Sequence, residues 1–309
     1  MKKVVVTGAT SMIGIATIKE CIKNNIEVLA VIQRQSKKKH RLPGSDLITL
    51  CECNLDELHA LEIEGSSYDV FYHFAWGDTG KLTRDDPVLQ EKNIQYTLDA
   101  VELARKLGCS KFIGAGSQAE YGLVNQVITA ETKEEPVLSY GIAKNAAGRL
   151  SRKLCEKYGI IHIWGRIFSV YGCNDSKETM VSYAVRQFME CQPAYFSAAT
   201  QMWDYLNEDD AGKIFYLLGE KISKNKVYRI ASGQSRALKE FILEIREVAG
   251  KEGGCEFVAD NIGENRVSLQ VDVNDLMEDI HYVPAVSFKE GIQKTVKSFN
   301  DAVRGSSEV

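Results

Sequence analysis

No apolar stretch of about 18 residues, the length needed to cross a bilayer, occurs in the 309-residue sequence. The first residues, M-K-K-V-V-V-T-G, resemble the start of a signal peptide. Their apolar run, however, stops after three valines and passes directly into a glycine turn. We therefore expect a cytoplasmic protein that has no membrane segment.

The eight cysteines include no C-x-x-C pair, a spacing that is common in metal and redox sites. Cys51 and Cys53 form a C-x-C pair, but they lie inside an apolar run. The pattern predicts reduced, mostly buried thiols and no metal site. Reduced thiols are also what the cytoplasm favours.

An excess of basic residues is missing as well, because the formal net charge is -4. Without a positive field, nucleic acid is not an expected partner.

Proline is scarce, at five residues, and no proline-rich linker marks a domain boundary. What the chain does have is 44% apolar residues, enough for a sizeable core.

The first residues predict a strand, a tight turn and a helix. Lys3–Thr7 is a β-branched run typical of a strand buried on both faces, and Met12–Lys23 is amphipathic. In the turn between them, Gly8 permits a sharp bend and Gly14 allows the helix to pack close to the strand. The exposed N–H groups at the start of such a helix can bind a pyrophosphate.

The same alternation continues through the first half of the chain. Further strands are predicted at Ile26–Ile32, Leu47–Cys53, Tyr68–Phe74, Lys111–Ala115 and Ile160–Ile167, and long helices at Pro87–Leu107 and Val137–Tyr158. This order predicts an α/β fold with a doubly wound parallel sheet and right-handed crossovers. A ligand crevice is expected at the carboxyl ends of its strands.

Three residues indicate acid–base chemistry at that edge. Tyr140 and Lys144 are four residues apart, so on a helix they share a face and the ammonium favours the ionised phenol. Ser117, at the end of a predicted strand, is positioned to hold the oxygen whose proton Tyr140 exchanges. A Y-x-x-x-K spacing alone is more often an accident of a helix surface, and its meaning here comes from its context.

That context resembles a known family. Together with T-G-A-T-S-M-I-G, H-F-A-W and R-I-F-S-V-Y-G, these residues resemble the extended short-chain dehydrogenase/reductases, of the NAD-dependent epimerase/dehydratase type that modifies nucleotide-linked sugars. The resemblance runs from Met1 to about Lys297. It implies that Ser117, Tyr140 and Lys144 are the catalytic trio. It also implies a Rossmann-type domain over 1–170 with returning segments around 203–230, and a smaller, discontinuous α/β substrate-binding domain over 171–202 and 231–309.

The resemblance also implies a dinucleotide site, in which Ser11 replaces the usual middle glycine. The residues implied for the cofactor are Gly8, Thr10, Ser11, Met12, Ile13, Gly14, Gln33, Arg34, Asn54, Leu55, Phe74, Ala75, Trp76, Asn93, Tyr140, Lys144 and Ile167. Those implied for the substrate are Trp76, Ser117, Gln118, Ser169, Trp203 and Arg266. Trp203 stands where an arginine commonly meets the substrate pyrophosphate, so Arg266 is the remaining candidate for that contact, against the alternative of an ordinary exposed loop arginine.

The end of the second strand favours NADP over NAD. An acid there would bind a ribose 2′-hydroxyl, but this chain has Gln33 and Arg34 instead. We expect Arg34 to bind a 2′-phosphate, and the lysines of 37–39 to form a solvated loop. NADP(H) is the predicted cofactor, and NAD(H) is the alternative.

The reaction is narrowed by residues that are absent. Dehydratases of the family resemble S/T-D-E-x-Y-G, whereas this chain has Gln118 and Ala119 at the acidic places. Glu120, one place later, need not point into the same space, so neither a dehydratase nor a decarboxylase is expected. His73, alone at a strand end, is interpreted as a core residue rather than a metal ligand or base.

Three functions remain open. The favoured one is reduction of a keto group, at C4, of a nucleotide-activated sugar. The alternatives are a nucleotide-sugar 4-epimerase with tightly bound NAD, and a non-catalytic dinucleotide-binding protein. The helices Pro87–Leu107 and Val137–Tyr158 carry apolar residues beyond what one sheet contact needs, and in the family the equivalent pair forms a four-helix bundle, so a homodimer is predicted.

Overall fold

The protein is described by a computed structural model covering residues 1–63, 65, 67–250, 252–258 and 267–307. The strands are β1 Lys3–Thr7, β2 Glu27–Ile32, β3 Ile48–Glu52, β4 Val70–His73, β5 Lys111–Ser117, β6 Ile161–Ile167, β7 Ser169–Tyr171, β8 Ala194–Ser197, β9 Met202–Trp203, β10 Tyr205–Asn207, β11 Lys226–Ile230, β12 Arg236–Ala237 and β13 Cys255–Val258. The helices are α1 Met12–Lys23, α2 Pro87–Lys106, α3 Ser139–Tyr158, α4 Met180–Met189, α5 Glu208–Lys221, α6 Leu238–Ala249, α7 Asn274–Ile280 and α8 Phe288–Ser307.

The central sheet has seven strands in the order β3-β2-β1-β4-β5-β6-β11. Each neighbouring pair in it is parallel. The strand order reverses between β1 and β4, which is where open α/β sheets form a ligand crevice. The predicted α/β fold with a doubly wound parallel sheet is therefore confirmed.

Both faces of this sheet are covered by helices. Val4 and Val6 point into a core shared with residues of α1 and α5, whereas Val5 points into a core shared with residues of α2 and α3. All three valines are fully buried. A parallel strand buried on both faces needs a continuous apolar run, which explains the three successive valines.

A second group of elements lies after β6. The parallel pair β8 and β13 packs with α4, α6 and α8 around Val185, Phe188 and Ile242. By contrast, β11 returns to the edge of the central sheet and pairs with β6. The chain thus leaves the main sheet after β6 and comes back to it once in the described residues.

Predicted and observed element boundaries differ by at most two residues at either end, with the largest differences at α3, β4 and β5. The helix begins at Ser139 instead of Val137, because Leu138 has an extended backbone (φ -84°, ψ 148°) and Asp85 accepts a hydrogen bond from the Ser139 N–H. Strand β5 continues to Ser117, two residues past the predicted end. The longer strand carries Ser117 itself to the edge of the sheet.

His73 and His162 are satisfied core residues, as predicted for His73. The Nδ1 atom of His73 lies 2.8 Å from the Thr7 hydroxyl, and the Nε2 atom of His162 lies 2.8 Å from the Ser151 hydroxyl. Burial lowers the pKa of each imidazole to about 3, helped by the charge of Lys144 at His73. Both side chains are therefore neutral at physiological pH.

The cysteines carry no disulfide in the structure. Cys21, Cys53, Cys109 and Cys155 are buried, Cys51 and Cys255 are half-buried, and Cys173 and Cys191 are exposed. Four of the eight thiols are thus fully buried, fewer than the prediction of mostly buried thiols implied. Within the described residues, no helix is long and apolar enough to span a membrane, and no cluster of three or more His, Cys, Asp or Glu side chains could hold a metal ion.

Candidate active site

A cavity of about 850 Å³ runs along the carboxyl ends of the central strands. This volume lies in the usual range for cofactor and substrate sites. Of the predicted cofactor residues, those that line it are Gly8, Thr10, Ser11, Gln33, Asn54, Leu55, Phe74, Ala75, Trp76, Tyr140, Lys144 and Ile167. Of the predicted substrate residues, Trp76, Ser117 and Gln118 do so.

The glycine turn forms the floor of one half of this cavity. Gly8 has φ +67°, and a Cβ at this position would lie 2.6 Å from the backbone nitrogen of Ala75. Only glycine therefore allows the turn after β1 to touch the segment after β4. The Ser11 hydroxyl accepts a hydrogen bond from the Gly14 N–H and so begins α1 without a middle glycine.

Three predicted cofactor residues lie behind this turn. Met12, Ile13 and Gly14 do not line the cavity. A Cβ at Gly14 would lie 2.4 Å from the Gly8 carbonyl oxygen, so this glycine supports the turn by allowing close packing. The N-terminus of α1 still faces the cavity through Thr10 and Ser11, where backbone N–H groups suit a pyrophosphate.

The end of the cavity beside β2 differs from the sequence expectation. Arg34 does not line it, because its Nε donates a hydrogen bond of 2.8 Å to the Glu57 carboxylate. Lys38 does line it, although the lysines of 37–39 were expected to form only a solvated loop. Lys38 therefore lies closer to the cavity than Arg34 does, although Arg34 is nearer to the end of β2 in the sequence.

Ser117 and Tyr140 meet because two elements approach closely. Ser117 ends β5, and Tyr140 is the second residue of α3. Between them, a Cβ at Gly141 would lie 2.3 Å from the Ala119 carbonyl oxygen, so α3 reaches the turn after β5 only with glycine at that position. Burial raises the pKa of the Tyr140 phenol, while the hydrogen bond with Ser117 and the charge of Arg84 lower it.

Lys144 is buried and occupied by neighbours other than Tyr140. Its ammonium donates a 2.6 Å hydrogen bond to the Ala115 carbonyl and lies 3.6 Å from the centre of the Trp76 ring. It is 5.8 Å from the centre of the Tyr140 ring. Burial lowers the pKa of Lys144 to about 7, although the charge of Glu120 raises it. The expected lowering of the Tyr140 pKa by Lys144 is therefore not seen in this geometry.

Asn93 supports the site from behind and does not line the cavity. Its side-chain oxygen accepts a 2.7 Å hydrogen bond from the Gly77 N–H. Gln90, one turn earlier on α2, donates a 2.7 Å hydrogen bond to the Asp78 carbonyl and accepts a 3.0 Å hydrogen bond from the Trp76 indole. These two buried amides fix the start of the segment 77–86, and the sequence patterns did not identify Gln90.

The end of the same segment lies against α3. The Arg84 guanidinium carbon is 4.5 Å from the centre of the Tyr140 ring, and Arg84 also lines the cavity. Its backbone carbonyl accepts a 3.2 Å hydrogen bond from the Tyr140 N–H. Sequence reasoning missed Arg84 because only the fold brings this loop to the phenol.

Glu120 points away from the cavity, as the sequence reasoning allowed. Its carboxylate accepts hydrogen bonds from the Ser117 N–H (2.8 Å), the Trp164 indole (3.0 Å) and the Arg166 guanidinium (2.7 Å). Among the described residues that line the cavity, Asp56 is the only acid, and it lies next to Leu55. Within the part of the chain that the structure describes, no carboxylate is therefore available beside Ser117 and Tyr140 for a second acid–base step.

The remaining predicted substrate residues are not brought to this cavity. Ser169 lies in β7 and does not line it. Trp203 packs beside Tyr205, with ring centres 6.3 Å apart, and also lies outside the lining. Arg266 lies outside the described residues.

Comparisons with known proteins place the chain in a family of nucleotide-sugar enzymes. A model of the NAD dependent epimerase/dehydratase family matches residues 4–231. A Bacillus subtilis protein described as an uncharacterized UDP-glucose epimerase is 22% identical over 323 residues, spanning 98% of this chain and 99% of that protein. The dTDP-4-dehydro-6-deoxyglucose reductase of Escherichia coli is 25% identical over 196 residues, which is 62% of each protein.

A solved structure shows the same fold. The UDP-glucose 4-epimerase of Thermus thermophilus, in complex with NAD, superposes with a TM-score of 0.83. The match covers 97% of this chain and 99% of that one, at 21% sequence identity. At 21% identity this similarity shows a shared fold and does not show which reaction the protein catalyses.

Proposed function

Because the chain belongs to the NAD dependent epimerase/dehydratase family and is an enzyme of that family, we propose that it reduces the C4 keto group of a nucleotide-activated sugar, using NAD(P)H. The observation that carries this proposal is the meeting of Ser117, Tyr140 and Lys144 in a cavity whose described lining residues place no carboxylate beside them. Such a set moves one proton and suits a single hydride transfer.

A nicotinamide cofactor bound in this cavity would supply the hydride that the keto carbon needs. The space above Gly8 and the N–H groups at the start of α1 fit its pyrophosphate. Ser117 holds the substrate oxygen, and Tyr140 gives it a proton as the alcohol forms. Lys144, at the buried end of the site, would bind a ribose hydroxyl of the cofactor.

The absence of a second acid disfavours elimination of water. Gln118 lines the cavity where the family's dehydratases carry an acid, and Glu120 is held by Arg166 on the other side. A 4-epimerase remains the second candidate, because it uses the same trio and both the Bacillus subtilis relative and the Thermus thermophilus structure are described as epimerases. A non-catalytic protein would not need to keep Ser117, Tyr140 and Lys144 together.

NADP(H) is the proposed cofactor, with Lys38 and Arg34 as its cationic partners beside β2. Lys38 lines the cavity. Arg34 pairs with Glu57, and it would have to exchange this carboxylate for the 2′-phosphate in order to bind the cofactor. A 2′-phosphate would compete with the Glu57 carboxylate for that guanidinium.

The other assignments follow the same reasoning. We propose that 1–170, with returning segments around 203–230, form the dinucleotide-binding domain, since β11 pairs with β6. Segments 171–202 and 231–309, which contribute the separate β8–β13 pair, would bind the nucleotide sugar. The protein would act in the cytoplasm as a homodimer.

Turnover assays test the proposal directly. Purified protein is mixed with NADPH and a panel of 4-keto nucleotide sugars, and the loss of nicotinamide absorbance is followed. Consumption of NADPH in proportion to the sugar supports a reductase. A second assay supplies NAD and 4-hydroxy nucleotide sugars, and interconversion of two of these sugars without net change of cofactor would identify the epimerase instead. The absence of both activities with every sugar tried would contradict both functions.

A further inference from the structure

The segment 77–86 brings a second cation to the phenol of Tyr140. The Arg84 guanidinium carbon lies 4.5 Å from the centre of the Tyr140 ring, within the range of a cation–π contact. The same segment is fixed at both ends, by Asn93 at Gly77 and by the hydrogen bond from the Tyr140 N–H to the Arg84 carbonyl. The position of this guanidinium is therefore built into the fold.

The acids next to Arg84 in the sequence have other partners. Asp85 accepts a hydrogen bond from the N–H of Ser139, and Asp86 accepts two from the first turn of α2. The Nε of Arg84 is shielded from solvent and has no hydrogen-bond partner among the described residues. The charge of Arg84 thus faces the phenol and the cavity, and no carboxylate of the described residues forms an ion pair with it.

Lys144 is less suited to supply a constant charge. Its ammonium is shared between the Ala115 carbonyl and the Trp76 ring. Burial brings its pKa to about 7, so its charge varies around neutral pH. A guanidinium stays protonated at every physiological pH.

We propose that Arg84 is a positioning residue that stabilises the ionised form of Tyr140, and that it is the constant cation of this site. The proposal rests on the proposed function only in treating Tyr140 as the acid of the reaction. A positive charge over the ring attracts a phenolate more strongly than a neutral phenol. Tyr140 can then release and regain its proton whichever charge state Lys144 holds.

Other groups that face Tyr140 act in known directions. The Ser117 hydroxyl, from β5, hydrogen-bonds the phenol and lowers its pKa. Glu120, from the turn after β5, raises it, although Arg166 partly neutralises that carboxylate. Lys144 lies on the same helix as Tyr140, 5.8 Å from the ring centre. Arg84 is therefore the closer of the two cations to the ring.

The test measures the ionisation of Tyr140 without any substrate. The full chain is labelled with 3-fluorotyrosine, whose phenol is more acidic than that of tyrosine, and its fluorine NMR spectrum is followed against pH. The resonance that is missing from the Tyr140→Phe protein is assigned to Tyr140. In Arg84→Met its midpoint should rise by about one pH unit, as expected for losing an opposite charge at this distance.

Two further variants separate charge from structure. Arg84→Lys keeps the charge and should titrate between the wild type and Arg84→Met. Lys81→Met removes an exposed cation of the same segment that does not line the cavity, and it should titrate as the wild type does. Equal midpoints in wild type and Arg84→Met, or an equal rise in Lys81→Met, would overturn the proposal.

The readout is independent of the reaction. If the protein turns over no nucleotide sugar, the proposed function fails while the titration can still show the effect of Arg84. If Arg84→Met does not fold, as judged by circular dichroism, the comparison is made with Arg84→Gln, which also removes the charge. An unchanged midpoint in that variant counts against the proposal in the same way.

Discussion

Burial acts in opposite directions on the two central residues of the site. It raises the pKa of the Tyr140 phenol and lowers that of the Lys144 ammonium to about 7, because each environment disfavours the charged form. Both groups are thereby moved towards their neutral forms. The hydrogen bond from Ser117 and the charge of Arg84 oppose this effect at Tyr140, and that opposition sets how readily it exchanges a proton.

Removing the phenol hydroxyl tests the role of Tyr140. Tyr140→Phe should lower turnover by roughly a hundredfold or more, the usual scale for losing a positioned acid, and should leave cofactor affinity nearly unchanged. Stopped-flow turnover and fluorescence titration with the cofactor measure the two quantities. The control is Tyr96→Phe, which alters another phenol lining the same cavity and should keep wild-type turnover. Wild-type turnover in Tyr140→Phe would remove the central claim.

His162 makes a testable contribution to the pH dependence of stability. Its pKa is about 3 in the folded protein and near 6.5 when unfolded, so below 6.5 the unfolded chain takes up a proton that the folded chain does not. The free energy of unfolding should therefore fall as the pH drops from 6.5 towards 3. Between pH 6.5 and 5 this one residue should cost about 2 kcal/mol.

The variant His162→Gln isolates that contribution. It should be less stable than the wild type at pH 7.5, where the native ring packs beside Phe112 and Trp164. On moving to pH 5 it should gain about 2 kcal/mol relative to the wild type, because only the wild type has this histidine to protonate on unfolding. Urea unfolding at both pH values gives the difference. A constant gap between the two proteins would show that His162 is not held neutral.

Sequence patterns singled out Ser117, Tyr140 and Lys144, the proposed catalytic residues, but not the residues around them. Ser117, Tyr140 and Lys144 could be predicted because one strand end and one helical repeat fix their spacing. Arg84 and Gln90 could not, since their roles depend on where an irregular segment lies in three dimensions. Arg34 was placed by its nearness to β2, and its pairing with Glu57 depends on a turn more than twenty residues away.

At the level of elements, the segment 77–86 is held from two sides. Buried amides of α2 bind its first residues, and the N-terminus of α3 binds its last ones. Trp76 precedes this segment and Arg84 lies within it, and both contact the Tyr140 ring, at 6.0 Å and 4.5 Å from its centre. A substitution in α2 should therefore alter the contacts of the Tyr140 ring, even though α2 contributes little to the cavity wall.

Asn93→Ala tests this coupling. It removes the 2.7 Å hydrogen bond from the Gly77 N–H and leaves this half-buried backbone group without its partner, which should cost about 1 kcal/mol of stability. Turnover should fall as well, because Trp76 and Arg84 lose their fixed position. Thermal unfolding and steady-state assays measure the two effects. Gln95→Ala, an exposed amide on the same helix, should change neither, and normal turnover in Asn93→Ala would contradict the coupling.

The boundaries of the elements show which local signals are reliable. Helix α1 matches its predicted bounds because Ser11 caps it and an amphipathic repeat follows. Helix α3 begins two residues late because a tertiary contact, from Asp85 to the Ser139 N–H, decides where it starts. Such contacts between distant segments leave no trace in local propensity.

At the scale of the whole molecule, the parallel sheet could be predicted because alternating strands and helices permit few topologies. The second group of elements was harder, since short strands such as β9 and β12 have two residues each and no pattern of their own. Its outline came from the family resemblance alone. The resemblance also placed Trp203 in the substrate site, whereas the structure packs this half-buried residue beside Tyr205, outside the lining of the cavity.

Apolar side chains exposed on α3 support the predicted homodimer. Ile142 and Leu150 are 52% and 47% exposed and lie eight residues apart, so they share one helix face. Light scattering should give twice the 34.5 kDa of one chain at micromolar concentration. The double variant Ile142→Glu/Leu150→Glu should be monomeric, whereas Val283→Glu, at another exposed apolar position, should stay dimeric. A monomeric wild type would contradict the prediction.

Cofactor preference depends on which cation meets a 2′-phosphate. If Lys38 and Arg34 both contribute, NADPH should bind about ten- to a hundredfold more tightly than NADH, through charge-assisted contacts. Added salt should weaken this preference, since both side chains are exposed. Fluorescence titration of both cofactors into the wild type measures it. Equal affinities, or a preference for NADH, would favour an epimerase with bound NAD.

Variants at this end of the cavity separate the two cations. Gln33→Asp/Arg34→Ala should reverse the preference, because it supplies an acceptor for the ribose and removes one phosphate partner. If Arg34 instead remains paired with Glu57, the double variant should still bind NADH. In that case Lys38→Ala alone should abolish the tighter binding of NADPH. The variant Glu57→Gln distinguishes these two cases, because it removes the charge that holds Arg34. If the Arg34 guanidinium can reach the 2′-phosphate, NADPH should bind more tightly to this variant than to the wild type. Unchanged NADPH affinity would assign the phosphate contact to Lys38.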